Sequence, residues 1–229
     1  MVMGTAARLR NVNDLHVNMN GEILEKSEGH KELLLGVVVQ CDLKWSLQIK
    51  NLVDKLKKRL TGLEKLKHFM NRSEKDNIVR GIFNSVLCYC LPLFGGCSTS
   101  EKNDLQTLQN RAARLVLNFP PRSNREGMFI KLKWLSVRQL IAYHTLISVY
   151  KVRVDQVPEN LARIICRDNH NGFIIVKNTR LQLYRDSFVF RGSLLWNKLP
   201  RDVRNEQKLS KFKIRAKEWV LQMIPRFDD

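Results

Sequence analysis

The sequence predicts a mainly helical protein: a helical bundle with a short β segment at its N-terminal side and a small β-hairpin near its C-terminal side. Three observations point there. From Ile49 onward apolar residues recur at helical spacing. Cap-forming serines stand before several of these runs, at Ser98 and Ser136. Before residue 40 the pattern is of strands, with Asn20-Gly21 between two short runs, the strongest short hairpin signal.

Taken in order, Val17-Asn18-Met19 and Glu22-Ile23-Leu24 read as the arms of that hairpin, and the apolar, β-branched run 33–39 reads as one buried strand. Ile49, Leu52, Val53, Leu56, Leu60, Leu63 and Leu66 form the stripe of a first long helix, with Lys50, Lys57, Lys58 and Lys65 on its other side. Ser73-Glu74-Lys75-Asp76 resembles a capping box opening a second helix that closes near Pro92. Ser98 to Ser100 cap a third, striped by Leu105, Leu108, Ala112, Leu115 and Val116 and stopped by Pro120-Pro121. Ser136 caps a fourth helix, and a shorter one follows Pro158. A soft boundary is expected within 154–172. Residues 173–176 and 181–184 are expected to pair as the small hairpin, before helices over 187–198 and from Ser210 onward.

The formal charge of +18 lies almost wholly beyond Lys44, because acids and bases nearly balance over residues 1–32. Such a field attracts polyanions, either nucleic acid or an anionic membrane surface. The five cysteines (Cys41, Cys88, Cys90, Cys97, Cys166) have neither disulfide-framework nor zinc spacing and read as buried thiols in a reducing compartment. Residues 1–10 lack the apolar core of a secretory leader. The charge-free stretch 81–100 is broken by Asn84, Pro92 and Gly95-Gly96, which suits a buried helix and its exit turn better than a membrane span. An intracellular protein, in cytoplasm or nucleus and without a membrane partner, is expected.

Catalytic constellations do not emerge. There is no nucleophile elbow, phosphate-binding glycine loop or zinc-protease motif, and no cofactor or metal is implied. His144 shares a stripe with Val137, Leu140 and Ile141 and reads as a hydrogen-bonded core histidine; His16, His30, His68 and His170 look incidental. Binding needs only positive charge on one face. The candidates are Lys50, Lys57, Lys58 and Lys65 on the first helix, Arg111 and Arg114, and Lys211 and Arg215 on the last. Arg111 and Arg114 project together around Ala112-Ala113. Either the pair meets phosphates, or the alanines pack on a neighbouring helix while the arginines stay solvated. Trp45, Trp134 and Trp196 read as packing anchors, and Asn197 and Pro200 as helix terminators.

Five signatures occur in fixed order. They are Leu35-Gly36-Val37 with Leu43-Lys44-Trp45; Leu93-Phe94-Gly95-Gly96-Cys97; Gln109-Asn110-Arg111-Ala112-Ala113-Arg114; Lys133-Trp134-Leu135; and Leu194-Leu195-Trp196-Asn197-Lys198-Leu199-Pro200. Together they resemble the region following the catalytic palm in reverse transcriptases of non-LTR (LINE-like, Jockey/CR1-type) retrotransposons. Gln48 stands where that family often has His. The resemblance implies a palm remnant over 1–40, a helical thumb-like domain over 41–153 and a C-terminal extension over 154–229. It further implies RNA, DNA or RNA–DNA hybrid as partner, with self-association or an absent palm and fingers module as protein partners. The family's RNA-directed DNA polymerase chemistry needs paired aspartates that hold two metals. The only Asp-Asp here is Asp228-Asp229, so a truncated element copy, gene-model fragment or separately expressed remnant without catalytic activity is expected. A helical protein-interaction module or a decayed relic without selected function are the alternatives.

Overall fold

The protein is mainly helical, with antiparallel β-hairpins near its N-terminal side. The computed structural model describes residues 3, 17–20, 22–24, 31–154 and 172–227. They divide into two compact units, Met1–Asn51 and Leu52–Asp229.

In the first unit, β1 (Val17–Met19) and β2 (Glu22–Leu24) pair antiparallel with Val17 opposite Leu24, around Asn20 in the left-handed region (φ 56°). The single strand expected over 33–39 is instead a second hairpin, β3 (Lys31–Leu34) with β4 (Val37–Gln40). Leu35 and Gly36 both take positive φ, 49° and 80°, as a type I′ reversal demands, and Gly36 adopts it without a Cβ penalty. The apolar run therefore folds back on itself. The hairpin meets the first turn of α1 (Ser46–Leu66) through two amides. Gln40 Oε1 accepts from Leu47 N (2.9 Å) and Ser46 Oγ (3.2 Å), and the buried Gln48 accepts from Val38 N (2.9 Å). Gln48 thus satisfies a strand N–H, a structural task for the position where the resembling family often has His.

In the second unit, α1 buries Leu52, Leu56, Leu60 and Leu63 and exposes Lys57, Lys58 and Lys65, as its periodicity predicts. A 3-10 turn (Lys67–Phe69) leads to α2 (Arg72–Ile78). Its capping box is formed by Asn71 with Glu74, two residues before the serine expected, because asparagine caps as well as serine. A π segment (Val79–Asn84) and α3 (Ser85–Cys88) follow. Pro92 does not close this helix. Cys90 at φ 52° turns the chain, and Pro92 opens α4 (Leu91–Phe94), where a missing N–H is harmless. Ser98 with Glu101, and Ser136 with Gln139, form the capping boxes of α5 (Thr99–Leu117) and α7 (Val137–Arg153). Between them lies α6 (Arg125–Leu132), capped by Asn124, which periodicity alone did not reveal. After residue 172 come α8 (Gln182–Arg185), α9 (Phe188–Asn197), α10 (Arg201–Arg204) and α11 (Leu209–Met223).

The C-terminal hairpin is not formed. Residues 182–185 make one helical turn, because Thr179 accepts from Leu181 N through its hydroxyl (3.1 Å) and from Arg185 Nε through its carbonyl (3.0 Å). Ile174 is instead held by Asn197, whose amide accepts from its N–H and donates to its carbonyl, both at 2.9 Å. Asn197 is thus a clasp rather than a mere helix terminator. The helix expected after Pro158, together with Cys166, His16, His30, His170 and Asp228-Asp229, lies outside the described residues.

Helix α7 is the hub, contacting α4, α5, α9 and α11. Its Leu146, Val149 and Tyr150 share one core with Ile174, Trp196, Leu199, Val203, Phe212, Trp219 and Val220, so residues on both sides of the boundary expected at 154–172 pack together. Tyr150 and Phe212 stack at 4.2 Å, and Trp196 lies 5.9 Å from Phe212. Buried amides tie the layers: Gln139 Nε2 donates to Ile224 O (2.8 Å), and Gln109 Nε2 to Leu135 O (2.9 Å). Trp134, buried as expected, donates to Asp76 Oδ1 (3.2 Å) and so holds α2. Among the described residues, no helix is long and apolar enough to cross a membrane.

The Gly95-Gly96 pair is explained by space. A Cβ on Gly95 would lie 2.5 Å from Ile141 Cγ2 and 2.8 Å from Arg191 Nη1, and one on Gly96 would overlap the Asp186 carbonyl. By contrast Gly62, exposed on α1, has nothing within 4 Å of such an atom. Gly96→Ala should therefore destabilise the protein by about 1–3 kcal/mol through overpacking, while Gly62→Ala should stabilise it by about 0.5–1 kcal/mol through helix propensity. Urea denaturation checks this: the two midpoints should move in opposite directions.

Candidate nucleic-acid interface

Two helices and a cap build a cationic cleft in the second unit. The chain brings Glu64 to the C-terminal end of α1, Lys67 and His68 to the 3-10 turn that follows it, and Arg111, Arg114 and Leu115 to the C-terminal end of α5. Asn118 ends α5 in the left-handed region (φ 54°), a conformation asparagine tolerates and prolines further on cannot continue. With Met70, Lys75 and the 119–121 rim, these residues enclose a cleft of about 880 Å³.

Arg111 is already engaged. Its Nε and Nη2 donate to the two Glu64 oxygens at 2.6 and 2.5 Å, a bidentate fork between α5 and α1. That hydrogen bond holds the Glu64 carboxyl below the usual carboxylate range, against the opposing effect of partial burial. Ala112 and Ala113, between the arginines, are fully buried. The bland expectation for the alanines is met, yet Arg111 is a helix tie rather than a solvated cation. Arg114 lines the cleft, and among the described residues no carboxylate pairs with it.

Lys75 is the unexpected member. It is 3% exposed, and its Nζ donates to Asn118 Oδ1 at 2.8 Å. A buried ammonium whose partner is a neutral amide leaves its charge to act on the cleft. Four cationic side chains (Lys67, Lys75, Arg111, Arg114) thus face one carboxylate across the cleft. Lys67 also contributes to lowering the Glu64 pKa.

Of the sequence-derived candidates, the fold brings only Arg111 and Arg114 together here. Lys57, Lys58 and Lys65 are exposed on α1 but do not line the cleft, and Lys50 is exposed in the first unit. On α11, Lys211 is exposed, whereas Arg215 pairs with Asp202 (3.1 Å) and Glu206 (4.0 Å) and donates to the Asp202 carbonyl (2.9 Å). Arg215 therefore fastens α10 to α11, and its charge is partly neutralised. Lys75 and Asn118 escaped sequence reasoning because they are 43 positions apart and meet only through folding.

Other titratable groups offer less. Burial raises the Cys88 and Cys97 thiols to about 11, far from nucleophilic thiolates. His144 is half-buried against Tyr143 (5.4 Å, edge-on), and desolvation, then Lys213, lowers its pKa. Among the described residues, no three His, Cys, Asp or Glu side chains gather as metal ligands would.

The Glu64–Arg111 pair sets an acid dependence. Since the folded carboxyl titrates below its unfolded value, its stabilisation is present above the unfolded value and is lost as pH falls through the folded one. The side chains keep 34% and 37% of their exposure, so the pair is worth no more than about 1 kcal/mol. Glu64→Gln should lower the urea midpoint at pH 7, and the gap to wild type should close in the acid range. Comparison with protein-family models, curated proteins and solved structures finds no match to this chain.

Proposed function

We propose that the chain is the thumb and post-thumb portion of a LINE-like reverse transcriptase, binding the sugar–phosphate backbone of RNA or RNA–DNA hybrid and having no polymerase chemistry of its own. The observation that carries this reading is the cleft in which Lys67, Lys75 and Arg114 outnumber the single carboxylate of Glu64. The five ordered signatures and the exposed lysine face of α1 support it. Ammonium and guanidinium groups contact phosphate without reading bases, so binding is sequence-tolerant and driven by release of counterions.

Titrating a labelled RNA–DNA hybrid across a salt series tests the reading. With about six to ten phosphate contacts, affinity should fall about a thousandfold or more between 50 and 200 mM salt. Combining Lys67→Ala with Arg114→Ala should lower the salt slope by about two and weaken all sequences alike. Absence of binding at low salt, or a slope unchanged in the double variant, would overturn it.

A second reading, a protein-interaction module, is favoured by one observation. Leu33, Leu34 and Leu35 at the β3–β4 reversal are 71%, 64% and 83% exposed, an apolar patch of the kind that recruits partners. Self-association that is insensitive to salt, and weakened by Leu34→Lys, would select it.

A further inference from the structure

Apart from the backbone cleft, a second cavity of about 640 Å³ lies between α4, α5, α7, α9 and the end of α11. Its volume suits a small molecule rather than a duplex. Its floor holds Arg191, from α9. The guanidinium donates from Nε to the Asp186 carbonyl (3.0 Å) and from Nη2 to the Pro92 carbonyl (2.8 Å). Two of its five donors are therefore committed to backbone, and among the described residues no carboxylate forms a salt bridge with it. Cys97 and Asp186 act on it electrostatically, and the Asp186 Oδ1 itself accepts from Gln182 (2.9 Å). Burial disfavours the charge, pushing the Arg191 pKa down from its ordinary value. An arginine in this state has unspent capacity for an anion.

Gly95 makes that placement possible, since any side chain there would collide with Nη1. Two lysines, Lys102 from α5 and Lys198 after α9, line the same cavity. Thr145, also lining it and 1% exposed, has a hydroxyl that makes no hydrogen bond among the described residues. A buried hydroxyl without a partner is costly, and it is a second sign, independent of charge, of a polar ligand. Arg138 of α7 also lines the cavity, and the apolar part of the wall is Ile141, Leu195, Trp219, Met223 and Ile224.

We propose that this cavity binds a phosphate monoester carried on an apolar or aromatic body, of the size of a mononucleotide. Arg191, Lys102 and Lys198, with Arg138 also on the lining, match a monoester, which carries close to two negative charges at neutral pH. The phosphate is received by Arg191, Lys102 and Lys198, and the body lies against Trp219 and Ile224. Such a group is supplied either by a free nucleotide or by the 5′-phosphate end of a strand.

Binding of adenosine monophosphate, adenosine and inorganic phosphate to the full chain, followed by calorimetry, tests the assignment. The same short strand with and without a 5′-phosphate forms the second arm. Adenosine monophosphate should bind at least tenfold tighter than either adenosine or phosphate, and Lys102→Ala with Lys198→Ala should weaken it tenfold or more. Thr145→Val should weaken it several-fold while leaving the urea midpoint unlowered. Lys67→Ala with Arg114→Ala should leave it unchanged, which separates this cavity from the backbone cleft. A phosphate preference seen only on the strand supports the site and assigns its source. No preference for the phosphorylated member in either arm, or a preference indifferent to Lys102, Lys198 and Thr145, would overturn it.

Discussion

Burial of α7 is the constraint on which the second unit depends. A helix covered on most sides cannot satisfy its apolar surface from one neighbour. α7 draws α4 and α5 from the chain before it and α9 and α11 from the chain after it. Its N-terminus is held twice, by the Ser136–Gln139 capping box and by the Gln139 bond to Ile224. The aromatic stack of Tyr150, Phe212 and Trp196 fixes the opposite end. Arg111 and Arg114 on α5 and Arg191 on α9 are carried by helices that pack directly on α7.

The two cavities illustrate different ways of handling charge. In the α1–α5 cleft, one arginine is neutralised by Glu64 and serves as a strut, and the neighbouring cations act beside it. In the cavity under α9, Arg191 is anchored, among the described residues, by carbonyl oxygens alone. Carbonyls orient a guanidinium without cancelling it, whereas carboxylates do both. This difference between spent and unspent charge ranks the arginines better than exposure does: Arg215, although partly exposed, is engaged by Asp202 and Glu206.

Local physics made much of the fold legible. Ser98, Ser136 and Ser187 stand at helix starts because a hydroxyl reaches an N–H only three positions away. The stripe of α1 and the packing role of Trp134 and Trp196 follow from periodicity. What failed needed information beyond the window. The 33–39 run conceals a reversal because Gly36 takes positive φ without a Cβ penalty and the chain bears the strained φ of Leu35 beside it, which continuous β propensity does not reveal. The 181–184 segment is β-like in composition, yet a threonine two residues earlier supplies the competing bonds. At the cleft, the Arg111–Arg114 spacing was readable, but Glu64 and Lys75 arrive from elements far away in sequence. The Gly95-Gly96 signature was visible as a motif, whereas its reason, the close approach of Ile141, Arg191 and the Asp186 carbonyl, exists only in three dimensions.

The shared core of α7 and α11 also has a consequence for biosynthesis. Leu146, Val149 and Tyr150 emerge from the ribosome some sixty or more residues before Phe212, Ala216 and Val220, which cover them. At about 5–20 residues per second, that apolar face waits several seconds for its lid. During that interval the nascent chain is a substrate for holding chaperones, and a ribosome that stalls before α11 releases a sticky intermediate rather than a smaller folded protein.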